Sequence, residues 1–201
     1  MKLVNLTVLI LLLSSCANSP PQSPNDICEI FDEKRSWYKA SIRTYQRWDI
    51  EPSITLAFIK QESSFQQGAK PDRERIFFGL IPWKRQSSAY GYAQVIDGTW
   101  ELYKKEAGRT FASRTNFSDS VDFIGWYNNR NSKNLGISNK NARSLYLAYH
   151  EGPEGFRKGS YRSKPWLLGV ADKVQRSANN YRRQFTECKD DLKNPFYFLF
   201  N

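Results

Sequence analysis

The chain has 201 residues, 40% of them hydrophobic and 15% aromatic, which suits one domain with a sizeable core and excludes wholesale disorder. A formal net charge of +10 favours an anionic partner, although many basic residues will simply be solvated surface. With one histidine, no cysteine pair at ligand spacing and no glycine-rich phosphate loop, the sequence indicates neither a metal nor a cofactor.

The N-terminus has the pattern of an export signal. Lys2 precedes an apolar run that is short for a membrane span, and the run ends in Leu13-Ser14-Ser15-Cys16, which resembles a bacterial lipobox. Residues 1–15 are therefore predicted to be a lipoprotein signal peptide and Cys16 the lipidated residue; the alternative is an incidental cysteine. Because Ala17 resembles the residue found after the lipid in outer-membrane lipoproteins, we expect an outer-membrane anchor in the bacterial cell envelope, facing the periplasm.

The chain after the signal divides into three parts. Residues 16–25, rich in proline, serine and asparagine, are predicted to be an extended, lipidated tether. The folded domain is predicted over 26–190, with a C-terminal tail over 191–201. Cys28 and Cys188 lie near the two ends of this domain, so an oxidising compartment predicts a disulfide between the first and last helices; two free buried thiols are the alternative.

Helical periodicity runs through the domain, and the predicted fold is mainly α. Apolar residues at helical spacing predict helix over 26–48, and a new helix begins at Pro52, whose fixed φ suits a first helical turn. Residues 66–90 are punctuated by glycine and proline and are predicted to be a long loop that forms an ordered wall. No strand and no internal repeat is indicated.

The second half of the domain continues this helical pattern. Helices are predicted over about 98–107, from 118 or 119 onward, from 138 or 139 to the Gly-Pro pair at 152–153, and from 165 to about 187. Gly108 occupies the C-cap position of the first of these helices. The asparagine-rich run over 128–134 is predicted to be a loop.

Glu62 is the side chain that the helical pattern does not explain. It follows Ile54 and Phe58 on one apolar face, near the end of the helix that begins at Pro52. Desolvation and the negative end of the helix dipole both disfavour an ionised carboxylate, which would raise the pKa of Glu62 from ~4.3 toward ~6. Such a group is a usable proton donor at neutral pH, although position alone also fits a carboxylate that turns to solvent.

Three segments resemble, in order, the three motifs of the soluble lytic transglycosylases, a family with the goose-type lysozyme fold. They are Glu62-Ser63-Ser64-Phe65, then Tyr90-Gly91-Tyr92-Ala93-Gln94-Val95 with Thr99-Trp100, then Leu147-Ala148-Tyr149-His150-Glu151-Gly152-Pro153. The resemblance spans roughly 52–155. It implies a single lysozyme-like helical domain with a substrate cleft.

The resemblance also implies a reaction and a substrate. Glu62 would protonate the β-1,4 glycosidic oxygen between N-acetylmuramic acid and N-acetylglucosamine in peptidoglycan. It would then deprotonate the muramoyl 6-hydroxyl, leaving a 1,6-anhydromuramoyl end. The partners implied are peptidoglycan glycan strands and a membrane reached only through the lipid anchor, with other cell-wall proteins left open. Nucleic acid is not expected for an exported lipoprotein.

Three more side chains receive roles from the resemblance. Ser63 would hydrogen-bond near the muramoyl group, Gln94 would line the cleft with its amide, and Tyr149 would orient or hydrogen-bond the Glu62 carboxyl. Two of these residues also have a purely structural interpretation. Ser63 can be an ordinary hydroxyl at a helix end, and Tyr149 can belong to the core because it continues the apolar face of its helix.

Other motif residues are also assigned to substrate binding. Gly91 and Tyr92 belong to the second motif, but a tight turn would explain Gly91, and Tyr92 fits the core as readily as the cleft. Trp83 and Tyr90 are aromatic side chains that can pack against sugar faces, and we expect saccharide contacts from them.

The third motif departs from the family pattern at two positions. His150 replaces the usual asparagine and Glu151 follows it, so both are assigned to substrate binding. Glu151 could instead face solvent, pair with Arg157 or Arg162, or act as a second catalytic carboxylate. The last possibility would make the protein a hydrolytic, lysozyme-like muramidase. The remaining alternative is a peptidoglycan-binding lipoprotein without turnover.

Overall fold

The computed structural model describes residues 19–71, 73–76, 81–85 and 87–193, with the two short strands described by their backbone only. The helices of this part are α1 Ile27–Glu33, α2 Arg35–Trp48, α3 Pro52–Ser63, α4 Asp97–Glu106, α5 Phe117–Leu135, α6 Ala142–Lys158 and α7 Pro165–Lys193. A 3₁₀ turn, Ser160–Ser163, joins α6 to α7. None of the described helices is long and apolar enough to cross a membrane.

Helix α3 is the centre of the domain. Its residues 52–59 are all buried, because α3 packs mainly against α7 and also contacts α2 and α5. Around it, α2 packs on α5, and α6 packs on both α5 and α7. This arrangement leaves only the last turn of α3, which carries Glu62, close to solvent.

Three helices begin at side-chain caps. Asp26 accepts hydrogen bonds from two amides at the start of α1, Asn116 caps α5 by accepting from the Asp119 amide, and Asn141 caps α6 by accepting from the Ser144 amide. The start predicted for α5, at 118 or 119, is therefore two or three residues too late. The start predicted for α6, at 138 or 139, is two or three residues too early. Asparagine at 116 and 141 competes equally well for a cap, and sequence alone does not separate the candidates.

The segment predicted as one long loop contains a β-hairpin. Strands β1 Arg73–Ile76 and β2 Ile81–Arg85 pair antiparallel, so the prediction of no strand was wrong here. Pro82 had been interpreted as loop punctuation. It lies inside β2 opposite Arg75, which a two-stranded ribbon permits because each strand has a free edge.

The asparagine-rich run over 128–134 is helical, which corrects the loop prediction. Helix α5 continues through it to Leu135 and ends at Gly136, which adopts φ +66°. Asn128 and Asn131 are buried on the face that α5 turns inward, and the Asn129 amide donates to the Trp48 carbonyl at 2.7 Å. Tertiary packing therefore outweighs the low helix propensity of asparagine.

Both ends of the domain pack together. Cys28 on α1 and Cys188 on α7 form a disulfide. The end of the predicted tether also lies against the domain: Pro21 is buried, and the Gln184 amide donates to the Asn25 carbonyl at 3.2 Å. The end of the predicted tether, at 21–25, therefore contacts the folded domain. Helix α7 likewise continues to Lys193, past the predicted boundary at 190.

Candidate active site

Glu62 lies in the last turn of α3 and is only partly exposed. Burial raises the pKa of Glu62 to about 7, although a hydrogen bond with the Tyr146 hydroxyl acts in the opposite direction. The Glu62 carboxyl therefore keeps its proton to a higher pH than an exposed glutamate does. The direction agrees with the expectation from the sequence, and the shift is larger because α3 is enclosed on nearly all sides.

The chain after Glu62 turns sharply away from the helix. Ser64, the C-cap of α3, and the next residue, Phe65, both adopt left-handed backbone conformations with φ +50° and +62°. Such conformations are uncommon outside glycine and persist only where packing enforces them. Phe65 is fully buried and stacks on Trp37 at 5.8 Å between ring centroids, and this contact holds the turn beside the carboxyl.

Glu62 lines a cleft with a volume of about 600 Å³, which is within the usual range for small-molecule sites. Its lining comes from the end of α3, the segment after the hairpin, α4, α5 and the end of the first part of α6. The lining residues are Glu62, Ser87, Ala89, Gln94, Val95, Ile96, Thr99, Phe123, Tyr127, Tyr149, His150, Glu151 and Gly152.

Gln94 projects from the tight turn over 90–95, which forms one wall of the cleft. Its backbone is left-handed, with φ +47°, and its Nε2 donates to the carbonyls of Ala69 and Gly91 at 2.9 and 2.8 Å. Both amide hydrogens are used in these two bonds. The Oε1 atom of Gln94 has no hydrogen-bond partner among the described residues and is available to a ligand in the cleft. Gln94 can therefore accept a hydrogen bond from a ligand hydroxyl or amide.

Arg114 holds the wall that carries Gln94. Its guanidinium donates to the carbonyls of Ser88 and Val95, each at 3.1 Å, and pairs with Asp97 at 2.7 Å. It thereby ties both ends of the segment that carries Gln94 to the loop before α5. No sequence pattern indicated this role, since Arg114 belongs to none of the three motifs.

Glu151 is the other carboxylate among the described lining residues, and it is fully engaged. Lys164 contacts both of its oxygens at 2.8 and 2.9 Å, His150 Nδ1 lies 3.0 Å from Oε1, and the Ser160 hydroxyl donates to Oε2. Partial desolvation raises the pKa of Glu151, but these hydrogen bonds outweigh it and bring the pKa to about 2. The pairings considered from sequence, with Arg157 or Arg162, do not occur; Arg157 pairs with Glu154.

A family model described as a transglycosylase SLT domain matches residues 4–188 of the chain. The chain belongs to the SLT transglycosylase family. The resemblance of the three motifs and the mainly α, SLT-type fold predicted from them are thereby confirmed. Comparison with curated proteins and with solved structures found no match.

The tyrosine that hydrogen-bonds Glu62 is not the one that the SLT motif implied. Tyr149 donates its hydroxyl to the Ala93 carbonyl at 2.6 Å, while its ring packs edge-on against Phe58. Tyr146, one turn earlier on α6 and buried, is the hydrogen-bond partner of Glu62. Both tyrosines lie on the same helical face, and sequence spacing does not distinguish which hydroxyl reaches the carboxyl.

Three other SLT motif residues have structural roles. Ser63 is buried and donates its hydroxyl to the Ile59 carbonyl at 3.1 Å, as expected of a hydroxyl at a helix end. Gly91 has φ +78°, and a Cβ there would lie 2.0 Å from the Arg114 carbonyl oxygen, so only glycine fits. Tyr92 is 2% exposed and belongs to the core, outside the lining of the cleft.

Of the two aromatic residues predicted to contact sugars, Tyr90 is not among the described residues that line the cleft. Lys70 and Arg114 lie over the Tyr90 ring, at 4.9 and 5.5 Å from its centroid. Tyr90 is therefore engaged by two cations. The side chain of Trp83 lies outside the described part of the chain. Phe123 and Tyr127 on α5 line the cleft together with Tyr149, and the sequence analysis assigned no sugar contact to either α5 residue.

Proposed function

We propose that this SLT-family protein is a lytic transglycosylase of peptidoglycan. It would cleave the β-1,4 bond between N-acetylmuramic acid and N-acetylglucosamine without water and leave a 1,6-anhydromuramoyl end. The observation that carries this proposal is a single carboxyl, Glu62, whose pKa of about 7 lets it both give and take a proton at neutral pH.

The first step uses protonated Glu62 as the acid. The carboxyl transfers its proton to the glycosidic oxygen as the bond from that oxygen to the muramoyl C1 breaks, and the N-acetylglucosamine side leaves as an alcohol. Burial of Glu62 favours this step because it keeps the carboxyl neutral until the transfer. The hydrogen bond with Tyr146 stabilises the carboxylate that results.

The second step uses the same group as the base. The carboxylate takes the proton of the muramoyl 6-hydroxyl while that oxygen bonds to C1, which closes the anhydro ring and returns Glu62 to its acid form. No water is consumed, so one carboxyl is enough. Gln94 Oε1 is available to accept a hydrogen bond from the sugar and hold it in place.

The contacts of Glu151 favour a mechanism with one catalytic carboxylate over a mechanism with two. A hydrolase of the lysozyme type needs a second carboxylate that acts as a nucleophile or as a base for water. Glu151 has a pKa of about 2, so it is a weak base. Its oxygen lone pairs are largely occupied, because it accepts hydrogen bonds from three side chains. Its geometry suits a structural ion pair.

The test is mass spectrometry of the fragments that the purified protein releases from peptidoglycan. We expect anhydromuramoyl ends from the native protein and a loss of release of at least about 10²-fold in Glu62→Gln. Glu154→Gln is the matched control, because Glu154 is an exposed glutamate on α6 outside the cleft lining, and its activity should equal that of the native protein.

Two outcomes would contradict the proposal. Fragments with hydrated reducing ends would identify a muramidase and make Glu151 the next residue to change. No release by native protein that is folded by circular dichroism would favour a peptidoglycan-binding lipoprotein without turnover.

We also propose that the protein is lipid-anchored through Cys16 in the outer membrane, facing the periplasm. The support is the lipobox-like sequence and the alanine after it, both outside the described residues. The mass of the mature N-terminal peptide would test this. An unmodified Cys16, or an N-terminus at Met1, would contradict it.

A further inference from the structure

Trp166 lies beside the mouth of the cleft. It follows Pro165 at the start of α7, and 59% of its surface is exposed. Its indole makes an edge contact with the His150 ring, with ring centroids 5.2 Å apart and planes at 75°. His150 lines the cleft and Trp166 does not, so the indole lies one side chain beyond the cavity.

The segment that carries these two rings is fixed by polar contacts. Glu151, next to His150, binds Lys164, which is two residues before Trp166. Ser160, in the turn between them, donates its hydroxyl hydrogen to Glu151, and its Oγ lies 3.1 Å from the Gly155 carbonyl oxygen. The part of α6 just before its kink and the start of α7 are therefore linked through one carboxylate. These contacts place the start of α7, which carries Trp166, beside His150.

An exposed indole in this position suits a polymer that runs out of the cleft. A cavity of about 600 Å³ encloses a small part of a glycan strand, so the strand must continue past the mouth. The C–H groups on the face of a sugar ring pack well against an aromatic face, whereas the sugar hydroxyls point outward to solvent or polar groups. The His150 contact leaves much of the indole surface free for such packing.

We propose that Trp166, backed by His150, is a saccharide-contact site for a sugar ring of the glycan strand just outside the cavity. The proposal rests on the proposed function for its ligand, a β-1,4-linked strand of N-acetylated sugars. It adds a site that none of the three SLT motifs contains. Its effect should appear in the binding of long strands and be absent for short ones.

The test is calorimetric binding of β-1,4-linked N-acetylglucosamine oligomers to Glu62→Gln protein, in which turnover is removed. Trp166→Ala in that background should weaken binding of the hexamer roughly three- to tenfold and leave the trimer unchanged. Trp166→Tyr should restore most of the loss, because an aromatic face remains. Phe111→Ala is the control, since Phe111 is 98% exposed and outside the cleft lining, and it should change neither affinity.

The outcomes separate this proposal from the proposed function. Hexamer binding that is unaffected by Trp166→Ala, or trimer and hexamer weakened equally, would overturn the Trp166 site and leave the glycan cleft in place. No binding of either oligomer to the Glu62→Gln parent would overturn both. Hydrated products in the fragment assay would change the reaction assigned to Glu62 and leave the Trp166 site intact.

Discussion

Glu62 is placed where ionisation is unfavourable, and this has a thermodynamic consequence that does not depend on substrate. The pKa of Glu62 in the folded protein is about 7, against an ordinary value of 4.5. Below pH 4.5 both states bind the proton. Between pH 4.5 and 7 the unfolded chain loses it first, so Glu62 lowers the free energy of unfolding as the pH rises.

Glu62→Gln should therefore stabilise the protein at high pH only. The gain in the free energy of unfolding should approach about 3 kcal/mol at pH 8 and be near zero at pH 4, since glutamine removes the ionisation. Urea denaturation at the two pH values measures this. An equal effect of the substitution at both would mean that the Glu62 carboxyl is not buried as the structure has it.

Tyr146 tunes the same carboxyl. Its hydrogen bond lowers the pKa of Glu62 against the effect of burial, so Tyr146→Phe should raise that pKa further. Turnover falls when the acid loses its proton, and the alkaline limb of the pH–rate profile should move to higher pH. Tyr149→Phe is the control, because the Tyr149 hydroxyl donates to the Ala93 carbonyl. The alkaline limb of the pH–rate profile of this variant should match that of the native protein. A shift in Tyr149→Phe alone would restore the role that the family motif implied.

At the scale of elements, the junction of α6 and α7 is the feature that shapes the open end of the cleft. Helix α6 breaks at Gly152, which has φ +72° and ψ +165°, and continues to Lys158 before the 3₁₀ turn. The predicted end of the helix at 152–153 thus marks a kink. Glu151, just before the kink, accepts hydrogen bonds from Ser160 in the 3₁₀ turn and from Lys164, which directly precedes α7.

Glu151→Gln should weaken this junction in a pH-dependent way. A folded-state pKa of about 2 against an ordinary 4.5 means that Glu151 stabilises the fold above pH 4.5 and loses that effect as the pH falls towards 2. We expect a loss of up to about 3 kcal/mol in the free energy of unfolding at pH 7, falling to less than half near pH 3. Glu154→Gln, on an exposed pair, should have no comparable effect.

The products of Glu151→Gln provide a second measurement. If Glu151 is structural, the folded variant still releases fragments with anhydromuramoyl ends. Abolished turnover in a variant that is stably folded at the assay pH would instead place Glu151 in the chemistry.

At the scale of the whole molecule, the disulfide joins the two ends of the domain. Cys28 and Cys188 are 160 residues apart, so the bond restricts nearly the whole unfolded chain. Helix α7, which it secures, packs along α3 and so supports the helix that carries Glu62.

Replacing both cysteines by serine should lower the free energy of unfolding by about 2–5 kcal/mol. Turnover per folded molecule should be unchanged, because neither cysteine lines the cleft. Denaturant unfolding and an assay under conditions where both proteins are folded would measure the two quantities. A stability loss below about 0.5 kcal/mol would mean that the bond does little to restrict the unfolded chain.

Most of the helices were predictable from periodicity, and the errors have local causes. Pro52 and Pro165 begin helices as predicted, because a fixed φ at the first turn is a property of the residue itself. The helix predicted over 26–48 is broken at Lys34, whose backbone angles are not helical. The run over 128–134 is helical because Asn128 and Asn131 are buried where α5 packs against its neighbours. The β1–β2 hairpin was missed because pairing between strands is a contact that periodicity in one short segment does not reveal.

The SLT resemblance, the mainly α class and the unusual position of Glu62 were all predictable from the sequence. Motif order, helical periodicity and one charged residue on an apolar face are local properties of the chain. The three-dimensional packing was needed to identify the groups that surround Glu62 and to find that Glu151 is held in an ion pair. The cleft's surroundings include Tyr146 beside Glu62, Arg114 behind Gln94, Lys164 on Glu151 and Trp166 against His150. These contacts depend on distances in space that sequence spacing does not encode.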